Sequence, residues 1–358
     1  MLTVRTITQK DTWNDTLRAL PNAHVLQTWE WGAFKQATTG WQPQRLAFER
    51  DGQVVAMASV GVRRVGPLKV MYAPKGPVLD YTDPDLFAAV LGALQQRARA
   101  AGAIWLKIDP DVVAATGVPG EEDNTPNPSG QQITEMLSGR GWRYSDEQPQ
   151  FRNTITIDLT PSADDLLMAM SGNTRRKVRT AYKKDVTVRP GDVNDLRLLY
   201  DLYETTGDRN DFITRPFTYY QQAWARFIEA GLAQPLIAEH DGQAIAHVIL
   251  FRFGQTCWYI YGASANRERA RMPNYALQWE AMQWAKAQGC TAYDMWGAPD
   301  AFDEEDDMWG VYRFKRGFRG TVVRHIGAWD YAPYPPLYWG YTRVMPRLMQ
   351  WMRGRADS

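Results

Sequence analysis

A chain of 358 residues is long for one ordinary core and suggests two domains. Hydrophobic residues make up 44% and charged residues 23%, a globular balance that excludes a disordered chain. Lys plus Arg (41) nearly cancel Asp plus Glu (40), which excludes a global field for nucleic acid; any polyanion must be met locally.

In chain order, MLTVRTITQKDTW lacks the apolar stretch of a signal peptide. No later run is long enough to cross a bilayer, and the chain reads as cytoplasmic. ERDGQ (49–53) followed by VVAMASVGV reads as strand, Asp-Gly turn, strand. LGALQQRARAAGAIWLKIDP (91–110) reads as an amphipathic helix closed by Gly102, then a strand ending near Asp109. EEDNTPNPSG (121–130) reads as a loop, and FRNTITIDL (151–159) as an alternating strand. Ser162 is placed to cap the next helix, with Asp165 three residues on. EHDGQ (239–243) with AIAHVILFRF repeats the early hairpin. QWEAMQWAKAQGCTAYDMWG (278–297) repeats the helix, capping glycine (Gly289) and strand. Order and spacing match in both halves, which indicates an internal duplication. HIGAWDY (325–331) reads as a last strand, and YWGYTRVMPRLMQWMRGR (338–355) as a basic, aromatic tail interrupted by Pro346.

Each copy thus runs helices, hairpin strands, strand, helix, strand. That is an α/β unit with a mixed sheet, antiparallel early and parallel around the last crossover helix. The order resembles two tandem acetyltransferase-like domains of the GCN5-related type. The expected division is residues 1–150 and 151–319, with 320–358 packing back on the first unit. Such sheets separate between the strands read as CWYIYGAS (257–264) and TAYDMW (291–296), exposing backbone donors to an acyl carbonyl. The glycine loop that holds a CoA pyrophosphate at a helix start has no counterpart in NRERARMPNYALQW (266–279), which argues against CoA.

Several residues carry chemistry. VYRFKRGFRG (311–320) sets Lys315 and Arg316 between Phe314 and Phe318, just after the acidic run Asp303–Asp307 that a surface lysine would balance. Arg215 and Tyr219 share a helix face if Pro216 opens that helix. There they either clamp a diphosphate or carboxylate, or serve as a helix cap and a core ring. Tyr259 and Tyr261 flank Ile260, which puts both rings on one strand face and suits a wet cleft. RRKVRTAYKK (175–184) carries six basic side chains and no acid, a phosphate-backbone patch or a solvated helix face. His24, His240, His247 and His325 fit no catalytic or metal spacing, and Cys257 and Cys290 suit a reduced compartment.

MPNYALQWEAMQWAKAQGCTAYDMWG, VYRFKRGF, TWEWGAFK (28–35) and KIDP (107–110), set in two acetyltransferase-like units, resemble the Fem family of peptidoglycan bridge-forming aminoacyltransferases (FemABX). The resemblance spans nearly the whole chain, in the compact form, since no sustained heptad stretch supplies a coiled-coil arm. It implies transfer of an amino acid from aminoacyl-tRNA to an amine of the peptidoglycan stem peptide, on UDP-MurNAc-pentapeptide or a lipid-linked precursor, without a cofactor or metal. The resemblance puts Phe314 and Lys315 in the acyl-transfer site, the amine stabilising the tetrahedral intermediate or the tRNA 3′ end. It puts Lys35 against the precursor in the first unit; Arg215 and Tyr219 are candidates to bind substrate beside it, and the second unit, with Lys315 and the substrate-binding pair Tyr259 and Tyr261, would hold the acyl-transfer site. Arg175, Arg176, Lys177 and Arg316 are candidates for tRNA phosphate. Asp109 is a candidate base, unless it only begins a turn and water or the ester accepts the proton. The tail either docks on the first unit or rests on the inner face of the cell membrane.

An activated ester suits such a site. Alignment supplies about 7–11 kcal/mol of barrier reduction and an oxyanion donor about 3–4 kcal/mol, so no nucleophilic triad is needed. The rivals are an acyl-CoA-dependent N-acyltransferase of the same fold and a non-catalytic tRNA- or muropeptide-binding module.

Overall fold

Asp51 and Gly52 both take left-handed backbone angles (φ 52° and 79°), and so do Asp241 and Gly242 (φ 49° and 70°). Two such residues in succession form the turn whose twist matches that of paired strands. In the computed structural model, which describes residues 2–344, the first turn joins Gln42–Arg50 to Gln53–Val65 and the second joins Ala233–His240 to Gln243–Phe253. An antiparallel strand precedes each hairpin at the sheet edge (Thr3–Thr6, Thr187–Pro190), and another follows it (Leu68–Ala73, Thr256–Ser264). A crossover helix, Pro84–Ala101 or Pro273–Ala287, then delivers a parallel strand, Ala103–Ile108 or Ala292–Asp294. The repeat read from the sequence is therefore present in two mixed sheets, and the chain is of the mixed α/β class.

The two sheets complete each other. In the first, the place beyond Ala103–Ile108 is filled by Trp329–Tyr331 from the far end of the chain, followed by Trp142–Tyr144. In the second, the place beyond Ala292–Asp294 is filled by Asn153–Asp158, followed by Thr321–His325. The segment HIGAWDY is consequently not one strand. His325 ends a strand of the second sheet and Trp329 begins one of the first, so the crossing falls at residues 326–328 and not at 320. Gly327 turns the corner at φ 74°. The stretch 121–130 is likewise not wholly loop. Thr125–Pro126 pairs with Val113–Thr116 at the edge of the second sheet, and Pro128 opens the helix Pro128–Gly139, capped by Asn127. Ser162 caps its helix as expected, accepting from the Asp165 amide (3.1 Å).

Helices Lys10–Ala19 and Trp29–Thr39 of the first half and Leu196–Asn210 and Phe217–Glu229 of the second share one core, built on Trp13, Phe34, Trp224 and Phe227. Tyr338 and Tyr341 pack on Val70, Ile104 and Trp105 of the first sheet. The rest of the basic tail, 345–355, lies outside the described residues. Among those residues no helix is long and apolar enough to cross a membrane.

A methyl group on residue 327 would stand 2.7 Å from Gln148 Oε1, on a backbone that L-residues disfavour. Gly327→Ala is expected to cost about 1–3 kcal/mol and lower Tm by a few degrees. An unchanged melt would show that the crossing tolerates another corner.

Candidate active site

Thr256–Ser264 pairs in parallel with Ala292–Asp294 only at Thr256, Cys257 and Trp258. Beyond Asp294 the chain turns away through Trp296 (φ 55°) and Gly297 (φ 43°), and the two strands separate. A cavity of about 680 Å³ adjoins this gap, lined by Tyr259, Gly262, Tyr275, Phe314 and Lys315. Lys315, on the helix Trp309–Arg316, is only 4% exposed. Its amine donates to the carbonyls of Trp296 and Gly297, the latter at 2.7 Å, and lies 5.8 Å from the Tyr259 ring centre. The partners are carbonyls, not the acidic run, in which Asp306 instead accepts from the amides of Ala301 and Met308. Burial brings the Lys315 amine down to about 7, against the opposing pull of Asp294.

Phe314 packs edge-on to Tyr275 (5.0 Å) and Phe318 (5.3 Å), half-buried at the cavity wall. Of the basic helix Gly172–Lys183, Lys177 reaches this cavity and donates to the Tyr275 hydroxyl (2.9 Å). Arg175 instead donates to the carbonyls of Met168 and Met170, closing the end of the preceding helix. Arg176 bonds Asn173 (2.7 Å) on the solvent side, and Arg316 is exposed outside the cavity.

A second cavity, about 510 Å³, is lined by four cations, Lys35, Arg63, Lys107 and Arg215. Lys35 donates to the Tyr219 hydroxyl (2.8 Å) with its amine 4.7 Å from the ring centres of both Trp31 and Phe34. Burial, with Arg215 adding to it, brings this amine down to about 8. Pro216 proves to be the cap of Phe217–Glu229 and not its first residue, so Arg215 lies ahead of the helix. Its guanidinium still covers the Tyr219 ring (4.7 Å), and the structure brings Lys35, Arg215 and Tyr219 together. Arg63 and Lys107 were missed from the sequence. The available signal was a lone lysine in the apolar strand AIWLKI, every residue of which is buried. Lys107 is held by Ser145, the Glu147 carbonyl (2.9 Å) and Asp330 (3.2 Å).

Tyr259 and Tyr261 do not share a face. Consecutive residues Ile249 and Leu250 pair with Tyr261 and Tyr259, so Ile260 is the extra residue of a bulge and the alternation resets. Tyr259 faces Lys315, in room left by Gly262, and burial raises its hydroxyl to about 12. Tyr261 joins Tyr203, Tyr220 and Trp224 in the central core.

Asp109 is not among the residues lining the Lys315 cavity. It is buried behind the second cavity, where the Tyr72 hydroxyl donates to it (3.2 Å), and burial holds its carboxyl above the usual range despite Lys75. Nearby, Lys75 (3.1 Å) and His325 Nε2 (3.3 Å) meet Asp111 Oδ1, a link between the halves that histidine spacing gave no hint of. His24 caps a short helix from the core, burial lowering its pKa to about 3.

Two mixed α/β sheets, the second with a parallel strand pair that separates beside a cavity, define the tandem acetyltransferase-like class. Within that class the chain belongs to the FemAB family, whose sequence model matches residues 8–232 and 228–345. It is 25% identical to the lipid II:glycine glycyltransferase of Staphylococcus aureus (strain USA300), over 93% of each chain. A crystal structure of FemX superposes with a TM-score of 0.83 at 25% identity, covering 94% of this chain and 98% of that one. A tandem GNAT protein from the clavulanic acid biosynthesis pathway shares the fold alone, with a TM-score of 0.53 at 11% identity over 93% of this chain and 98% of its own.

The Arg215 charge works in the same direction as burial on Lys35. In Arg215→Met the Lys35 amine is therefore expected to titrate at higher pH, measured by NMR of the dimethylated lysine. A titration that stays in place would mean the two groups do not share the cavity in solution.

Proposed function

We propose that this chain transfers an amino acid from an aminoacyl-tRNA to an amine on the stem peptide of a peptidoglycan precursor, building an interpeptide cross-bridge. The observation that carries the reading is the buried Lys315 amine at the strand gap, with two N–H groups on carbonyls and a position left for a developing oxyanion. The ester is already activated, so the site has only to align an amine and stabilise charge. Lys177, Arg209 and Arg269 line the same cavity and suit the phosphates of a tRNA 3′ end. The four-cation cavity, walled by Trp31, Trp41 and Trp105, suits the anionic precursor. The similarity to lipid II:glycine glycyltransferases supports a lipid-linked acceptor, met at the inner face of the membrane.

The two cavities support a division of labour. Lys35, Arg215 and Tyr219 hold the precursor; Lys315, with Phe314 and Tyr259 beside it, serves the transfer. Asp109, which does not line Lys315's cavity, is not needed as the base, and water or the ester's own oxygen takes the amine proton.

Purified protein mixed with either precursor and a charged tRNA pool is expected to add one residue's mass, abolished by ribonuclease. Acetyl transfer from acetyl-CoA to an amine, with no gain from any charged pool, would overturn the reading. Lys315→Ala is expected to lower kcat by about a hundredfold or more, equivalent to about 3–4 kcal/mol, with precursor KM nearly unchanged. Lys35→Ala is expected chiefly to raise the precursor KM. Near-normal kcat in the first variant, or unchanged KM in the second, removes that residue from its role.

A further inference from the structure

Asp294 enters none of the roles above, yet it stands where the two strands separate. It is the last residue of Ala292–Asp294 and pairs with Trp258 at the final rung before the gap. Its Oδ1 accepts from the Trp296 amide (2.7 Å) and from the Thr154 hydroxyl. Trp296 is left-handed at φ 55°, a conformation that costs a bulky L-residue and persists only when something holds it. The carbonyls that hold Lys315 belong to Trp296 itself and to Gly297. Asp294 thus grips the amide side of the turn whose carbonyl side grips the amine.

We propose that Asp294 is a positioning residue for Lys315: it fixes the Trp296–Gly297 turn that seats the amine, and its negative charge keeps the proton on that amine. The inference rests on the assignment of Lys315 to the transfer site.

The surroundings of Asp294 fit this role. It lines a third cavity, about 710 Å³, together with Trp258, Asp111 and His325, which lies on a different set of walls from the Lys315 cavity. Asp111 and Lys75 of the first half act on its charge, and it acts in turn on Lys315. His325 lines the same cavity, and the His24 ring lies 6.0 Å from Trp296; burial lowers the pKa of both. Cys257 and Tyr293, its neighbours in the sheet, are kept neutral by burial. Burial likewise raises Asp294 itself to about 6, against the bonds from Thr154 and Trp296. Above that pH the carboxylate is charged and draws a proton toward Lys315. Removing the charge must make Lys315 lose its proton at lower pH.

The test is Asp294→Asn in the full chain, which keeps an oxygen to accept from Trp296 and Thr154 but carries no charge. Two readouts are taken across pH 5–9: kcat in the tRNA-dependent transfer assay, and acetic anhydride labelling of Lys315 scored by peptide mass. The expected result is a labelling midpoint moved to lower pH, a kcat at pH 7 at least tenfold down, and precursor KM within about twofold. Thr154→Val, which removes one bond to the carboxylate and leaves its protonation easier, is expected to shift labelling in the same direction by less. This second variant also serves if the first folds poorly. A labelling profile identical to the parent's, with only Tm changed, would overturn the proposal and leave Asp294 a structural residue. Labelling reads Lys315 whether or not transfer occurs. A shifted midpoint in a protein whose parent transfers nothing therefore keeps the link to Asp294 and removes the aminoacyltransferase reading.

Discussion

Each sheet is closed by a strand that comes from beyond its own half of the chain, and this exchange constrains everything else. Trp329–Tyr331 enters the first sheet beyond its parallel pair, and Val113–Thr116 with Thr125–Pro126 closes the edge of the second. Neither sheet is complete without chain that has already crossed from the other. The helices between the sheets accordingly share one core instead of packing as two. Ionic links flank the crossing at 326–328: Lys75, Asp111 and His325 on one side, Lys107 and Asp330 on the other. Buried pairs of this kind add little net stability, because desolvation consumes most of the attraction. Breaking one strands a charge, so they favour one arrangement of strands over its alternatives.

Four lysines show how burial and partners divide the work of one side chain. Lys75 meets carboxylates, which outweigh the burial that opposes its charge and hold its pKa above the usual value. Lys107 likewise ends on Asp330 and Ser145. Lys35 meets rings and a hydroxyl, and Lys315 meets only carbonyls; both are lowered, to about 8 and about 7. A carbonyl offers partial charge and does not repay desolvation as a carboxylate does. The first two lysines end on carboxylates, and the last two are poised near neutrality beside open space. That contrast, more than burial alone, is what makes Lys35 and Lys315 candidates for chemistry.

The nearly neutral composition hides a strongly uneven surface. Four cations converge on one cavity of a chain whose formal net charge is +1. Local convergence of this kind draws an anion without the non-specific attraction that a basic protein exerts on every polyanion. The rings are spent differently from what their number suggests. Trp13, Trp224 and Tyr293 are fully buried, while Trp31, Trp41 and Trp105 wall the cationic cavity.

Local patterns in the sequence carried a good deal: the two Asp-Gly hairpins, the glycine-closed crossover helices, the duplicated order and the motif around Lys315. All rest on backbone preferences and periodicities that act over a few residues, so nearby chain suffices to reveal them. Tertiary structure decided the rest. Whether Tyr259 and Tyr261 share a face depended on one extra residue, Ile260, whose placement is settled by pairing with a strand before it. HIGAWDY looked like one strand because alternation says nothing about which sheet each end joins. Lys107 stands 38 residues or more from Ser145 and Asp330, the side chains that hold it, and Asp294 reaches Thr154 across the sheet, so neither set of contacts can be read from nearby chain. Spacing encodes what neighbours do to each other. Burial and partner choice, which set the chemistry of Lys315, exist only once the chain has crossed over itself.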